Sequence, residues 1–262
     1  MIIENDQIKS FAEEIAMEYP ESETNLERIV SEEGLQVFYD RYGLNTFDGM
    51  TMYDKNKFFI HINTTQGNKP KTPRGRFTLA HELGHYYIDS HRIGLKEGIL
   101  APHPSTLNYK HFSRIEREAD YFASNLLMPE SRFQEAFYRK KFSPDLLDHL
   151  CIKFNVSRTA CAFRFADIGN HPIMIVYSEN NTVIWKYSSK DFKYKFLLYE
   201  KRVPENTVMG EYFNGKHNET YKTEKIWAVD LFNYIADEDL NLNVNEYCIA
   251  YKNKTLSLFW FV

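Results

Sequence analysis

The sequence predicts an α+β fold: a mainly helical domain with a small N-terminal β-sheet, followed by a strand-rich C-terminal domain. Three observations carry this expectation. Short alternating runs fill residues 35 to 65, segments of helical period with start signals fill 73 to 168, and beyond Gly169 the texture returns to strands.

Residues 7 to 18 place Ile8, Phe11, Ile15 and Met17 at near-helical spacing and read as an amphipathic opening helix. Strands are expected at Leu35 to Tyr39, Gly49 to Tyr53 and Phe58 to Ile62, the last two joined by the polar turn Asp54-Lys55-Asn56-Lys57. Phe58 to Thr64 is either an open edge able to pair with an extended substrate or an internal strand. Thr72 and Pro73 supply an N-cap and a proline at the first helical position, so helix is expected from there to about Ser90. A loop from His91 to His111 follows. Helices come next at about 113 to 127, 130 to 140, 144 to 154 and 157 to 168, opened by Ser113, Pro129, Pro144 and Ser157. Past Gly169, IMIVYS and TVIWKYS flank an Asn180-Asn181 turn, and EYCIAY and LSLFWFV meet around Lys252 to Lys254. The boundary falls near 168 to 171, giving domains 1–169 and 170–262.

A chain of 262 residues suits one catalytic domain with a smaller companion. Hydrophobic residues at 43% and charged residues at 26% are those of a folded globular chain. A formal net charge of -4 carries no global signature of a nucleic-acid binder. The first twenty residues mix acidic with apolar positions and lack the basic and apolar regions of a secretion signal. No apolar run approaches the ~20 residues needed to span a bilayer, so a membrane is not among the expected partners. Cys151, Cys161 and Cys248 are odd in number and widely spaced, which fits a reducing cytoplasm and neither a disulfide framework nor a CxxC metal site.

The chemistry concentrates in His81-Glu82-Leu83-Gly84-His85, an HExxH sequence inside the expected helix. At roughly 100° per residue, His81 and His85 fall about 40° apart and share a face, while Glu82 lies about 60° beyond His85. Two imidazoles so placed bind one ion, and the offset carboxylate reaches a water activated there, as a general base must. Zinc suits imidazole nitrogens, yet a catalytic zinc needs three protein ligands, so two histidines do not complete the site. A helix also carries two histidines for packing or solubility alone. Here the neighbours Phe77, Leu79, Ala80 and Leu83 are apolar, and unpaired histidines and a glutamate among them would be costly.

Residues 113 to 129, SRIEREADYFASNLLMP, put Ile115, Ala119, Phe122, Ala123, Leu126 and Leu127 on one helical face, with Glu116 and Asp120 projecting from the same side. Together with RFTLAHELGH, this segment resembles the signature of the ImmA/IrrE family of bacterial and phage metallopeptidases. The resemblance covers about 35 to 168 and is firmest over 74 to 129. It implies a zincin-like peptidase domain, an HExxH helix followed by an ExxxD helix, in which Glu116 is the third zinc ligand and Asp120 orients a histidine from behind. It also implies an intracellular enzyme that cleaves a partner transcriptional repressor, a helix-turn-helix protein often encoded beside it, in stress response or mobile-element induction. The alternative is a non-proteolytic zinc-binding regulator or toxin-antitoxin component; an intact Glu82 argues against it.

Glu116 has a neighbouring competitor in Glu118. Measured from Ile115 at roughly 100° per residue, Glu116 lies inside the apolar arc and Glu118 outside it, next to the polar side. Glu116 also fits a capping box with Ser113, which would turn its carboxylate to a backbone amide instead. Residues 146 to 169 resemble a helix-turn-helix, with Lys153, Arg158 and Arg164 as its local positive charge; two packed helices completing the peptidase domain are the bland reading, and DNA binding is not the expectation. His91, His103 and His111 are each placed to donate to a transition-state oxyanion, and loop histidines more often face solvent. The aromatic-rich residues 170 to 262 show no catalytic cluster; since some ImmA/IrrE relatives carry a sensory domain after the peptidase, the resemblance implies a recognition or regulatory role for them.

Overall fold

The computed structural model describes residues 2–101, 105 and 113–261. The fold is α+β, divided into two compact units: Met1–Ala136 with His149–Ser157, and Phe137–Asp148 with Arg158–Val262. Helix α1 (Ile2–Met17) leads to α2 (Leu26–Glu32), then to strands β1 (Gln36–Asp40), β2 (Gly49–Asp54) and β3 (Lys57–Asn63). Helices α3 (Pro73–Tyr87), α4 (Asp89–Lys96), α5 (Arg114–Leu127), α6 (Glu130–Phe137), α7 (Pro144–Phe154) and α8 (Arg158–Ile168) follow. On α1 the buried stripe is Ile8, Ala12, Ile15 and Ala16, while Met17 turns outward.

The small sheet has the order β1-β3-β2, with β3 parallel to β1 and antiparallel to β2. β3 is therefore the internal strand of the two possibilities the sequence left open, and β2 is an edge. Lys55 and Asn56, at φ 46° and 63°, turn β2 into β3 with the left-handed pair that matches strand twist. Ile60 and Ile62 of β3 are wholly buried.

α3 opens as expected, with the Thr72 hydroxyl accepting from the Gly75 N–H and Pro73 in the first turn. It stops at Ile88, whose ψ of 114° is extended, and the chain at once re-enters helix as α4. The expected loop beginning at His91 is thus corrected: His91 is helical and 1% exposed. α3 and α5 cross where Gly84 meets Ala119; a Cβ on Gly84 would lie 3.1 Å from the Ala119 Cα and 3.2 Å from its carbonyl oxygen. A side chain there would force the neighbouring helix to give by a few tenths of an ångström, so glycine suits the crossing.

The second unit is built on an antiparallel sheet of order β5-β4-β8-β7-β6, formed by β4 (Met174–Glu179), β5 (Thr182–Ser188), β6 (Tyr221–Trp227), β7 (Asn243–Tyr251) and β8 (Lys254–Phe261). Asn180 and Asn181, both at positive φ, make the first hairpin, and Lys252 at φ 55° helps to make the last. Short helices α9 (Val208–Phe213) and α10 (Ala228–Leu231) join the same core, in which Val176, Met209, Leu231, Phe232 and Phe259 are buried. Glu246 of β7, wholly buried, accepts from the Val208 and Met209 N–H groups and the Ser257 hydroxyl, tying α9 to the sheet. β6 escaped sequence reading because only Ile226 among its seven residues is buried, so it carries no alternation to detect. α8, which the sequence grouped with the N-terminal domain, packs on β4 and β5 within this unit. Two of the cations named for a DNA-reading helix are used internally: Arg164 is 2% exposed, and Arg158 pairs with Asp148 and lies over the Tyr221 ring.

Candidate metal centre

α3 presents His81, Glu82 and His85 on its buried side, with exposures of 3%, 0% and 2%. α5 brings Glu116 and Asp120 opposite. The two Nε2 atoms lie 3.1 Å apart, and the Glu116 carboxylate stands 3.2 Å from His81 Nε2 and 3.4 Å from His85 Nε2. Ligands at zinc–nitrogen distances in a tetrahedron are separated by about 3.3 Å, so this triangle of donors fits one ion. Among the described residues, His81, His85 and Glu116 are the one group of His, Cys, Asp and Glu close enough to hold a metal. The Ser113 hydroxyl accepts from the Glu116 N–H as a cap, while the Glu116 carboxylate faces the histidines.

His81 Nδ1 lies 2.8 Å from Asp120 Oδ1, a contact that leaves Nε2 toward the centre. Burial pulls the His81 pKa down, but Asp120 and Glu116 outweigh it and hold the ring well above the ordinary histidine value.

Glu82 stands beside this triangle. Its Oε2 lies 2.7 Å from the Thr51 hydroxyl, which is also 3.0 Å from the Glu82 carbonyl oxygen. Its Oε1 is buried with no hydrogen-bond partner among the described residues. Burial lifts the Glu82 pKa above the usual carboxylate value, against the opposing pull of His81 and the Thr51 and Ser105 hydroxyls. The carboxylate is thus buried with Oε2 held by Thr51 and with Oε1 unpaired among the described residues.

β2 closes over this carboxylate with bare backbone. A Cβ on Gly49 would sit 2.4 Å from Glu82 Oε1 and 2.8 Å from both Glu82 Cγ and Thr78 Cγ2. Gly49→Ala must therefore push the open oxygen aside while leaving His81, His85 and Glu116 in place. Turnover is expected to fall by about 10²-fold, the loss a misplaced catalytic group brings, with bound metal at the wild-type level. Unchanged turnover would show that the Glu82 carboxylate moves freely.

The sequence named His81, Glu82, His85, Glu116 and Asp120, and the structure gathers all five. It also brings in residues that sequence reading missed or misplaced. Ser105 bridges to Gly49, and its Oγ is 3.2 Å from His81 Nε2. His91 Nδ1 is 3.3 Å from His85 Nδ1, and His91 Nε2 is 3.0 Å from Glu118 Oε2, whose other oxygen accepts from Arg114 Nε at 2.6 Å. Glu118 is thus not on an open polar side as its angular position suggested; it is 9% exposed, with His91 of α4 against it. His103 and His111 lie outside the described residues. No signal in one sequence marks Gly49 or Thr51, because their importance comes from a strand crossing a distant helix.

The model of the IrrE N-terminal-like domain family matches residues 30–166. Metallopeptidase ImmA of Bacillus subtilis (strain 168) is 25% identical over 138 residues, which span 52% of this chain and 72% of that protein. Among solved structures, a Mycobacterium tuberculosis transcriptional regulator aligns over 97% of this chain and 76% of its own, with a TM-score of 0.59 and 14% identity, a likeness of fold alone. With the HExxH and ExxxD helices facing each other and the match running through both, the chain belongs to the ImmA/IrrE family of metallopeptidases.

Proposed function

We propose that this metallopeptidase is a zinc-dependent endopeptidase of the cytoplasm. Its substrate in this reading is one specific protein, a helix-turn-helix transcriptional repressor, cleaved in a stress or mobile-element response. The observation that carries the reading is the triangle of His81, His85 and Glu116 with the open Oε1 of Glu82 beside it. His81, His85 and Glu116 hold the ion, and Asp120 fixes the His81 ring. Zinc, when bound, polarises the scissile carbonyl and makes a neighbouring water acidic enough to react near neutral pH. Glu82 accepts that water's proton at Oε1 and returns it to the departing amine, a task that its raised pKa suits. Residues 1–169 form the catalytic domain in this proposal, and 170–262 recognise or regulate. Among the described residues no helix is long and apolar enough to cross a membrane.

The test is to incubate the zinc-loaded chain with a repressor encoded beside it and follow the products by mass spectrometry. A single internal cut is expected, abolished by a chelator and restored by zinc. Cutting that persists after the metal is stripped, or no cutting at all, would refute the assignment.

A further inference from the structure

We infer that His91 is the positioning residue for the metal ligand His85, held in turn by Glu118 and Arg114; this rests on the proposed metal centre. To offer Nε2 to a cation, neutral His85 must carry its proton on Nδ1. That N–H needs an acceptor, and His91 Nδ1 is 3.3 Å away. An accepting His91 Nδ1 requires the proton on His91 Nε2, and Glu118 Oε2 stands there at 3.0 Å to receive it. Arg114 Nε donates to the other Glu118 oxygen at 2.6 Å and anchors the far end. A proton held on His91 Nε2 by Glu118 leaves His91 Nδ1 to accept from His85 Nδ1, so one fixed end of the row determines both tautomers.

The row differs from the one behind His81, where Asp120 makes the contact directly. Interposing a neutral ring keeps a further carboxylate away from a centre that already gathers Glu82, Glu116 and Asp120. Burial supports the inference: His91 is 1% exposed and His85 2%, so the contact is shielded from bulk solvent. A histidine buried only for packing would need partners too, but it would not need one of them to be the back of a metal ligand.

The experiment uses the full chain. In competition with a chromophoric chelator, His91→Phe is expected to bind zinc 10- to 100-fold more weakly, while His91→Asn, whose amide oxygen keeps an acceptor for His85, stays within about threefold of wild type. The cobalt-substituted absorption spectrum should shift in the Phe variant and be retained in the Asn variant. Wild-type zinc affinity in folded His91→Phe overturns the inference, as does equal loss in both variants, which would mark a packing role. If either variant does not fold, the wild-type zinc protein decides through the tautomers seen in long-range 1H–15N correlation of labelled histidine. Protons on His85 Nδ1 and His91 Nε2 support the inference, and a proton on His91 Nδ1 overturns it. A wild-type chain that binds no zinc overturns the metal-centre reading as well, whereas the other failures leave that reading standing.

Discussion

Glu82→Gln is expected to keep its metal and to lose turnover by about 10²- to 10⁴-fold, the contribution of a positioned general base. The substitution preserves shape, and its amide oxygen still accepts from the Thr51 hydroxyl, so the packing of β2 on α3 is retained. What disappears is a basic oxygen at the Oε1 position, the one without a partner among the described residues. His81, His85 and Glu116 are untouched, which is why metal content separates the two possible roles of Glu82. The measurement pairs zinc analysis of the purified variant with its cleavage rate. Zinc lost together with activity would make Glu82 a ligand, and full activity would remove it from the mechanism.

Glu116→Ala and Glu118→Ala are expected to diverge, although the two residues sit two positions apart on α5. Removing Glu116 takes away the carboxylate 3.2 Å and 3.4 Å from the two imidazole nitrogens, leaving a pair of histidines that cannot complete a zinc site. Its zinc affinity should fall well beyond the roughly 100-fold that losing an orienting partner costs. Removing Glu118 leaves the triangle intact and loosens only the row behind His85, so full zinc occupancy should return when the metal is in excess. Titration of both folded variants with zinc against a competing chelator distinguishes them. A Glu118 variant that stays empty at saturating zinc, beside a Glu116 variant that fills, would reverse the assignment.

The legible part of this protein was the part written in local chemistry. Thr72-Pro73 and Ser113 opened their helices as capping rules dictate, the Lys55-Asn56 and Asn180-Asn181 pairs made their turns, and helical spacing put Glu116 on the side where the histidines are found. What stayed hidden depends on contacts between elements distant in sequence. Glu118 seemed to face a polar side because a helix wheel knows only its own helix, and His91 of α4 is what covers it. Ile88 interrupts α3 without glycine or proline, so nothing marked the restart that turns His91 inward. Gly49 reads as an ordinary strand residue until Glu82 is placed against it.

At Gly84 the two ligand-bearing helices approach closely, the glycine lying against the main chain of Ala119 and the Cβ of Phe122 with no long side chain of its own to compress or swing. The distance between the histidines and Glu116 is thus set when the domain folds, and an arriving ion has little left to organise. An ion that finds its site only in the folded chain adds its binding free energy to folding, about 2.7 kcal/mol when it is present at 100 times its dissociation constant. That is a sizeable share of the ~5–15 kcal/mol that holds a domain together. Stability is therefore expected to follow metal supply: thermal unfolding of the purified chain should move to higher temperature on adding metal and back on adding chelator, and an unchanged midpoint would show that the ion adds nothing to the folded state.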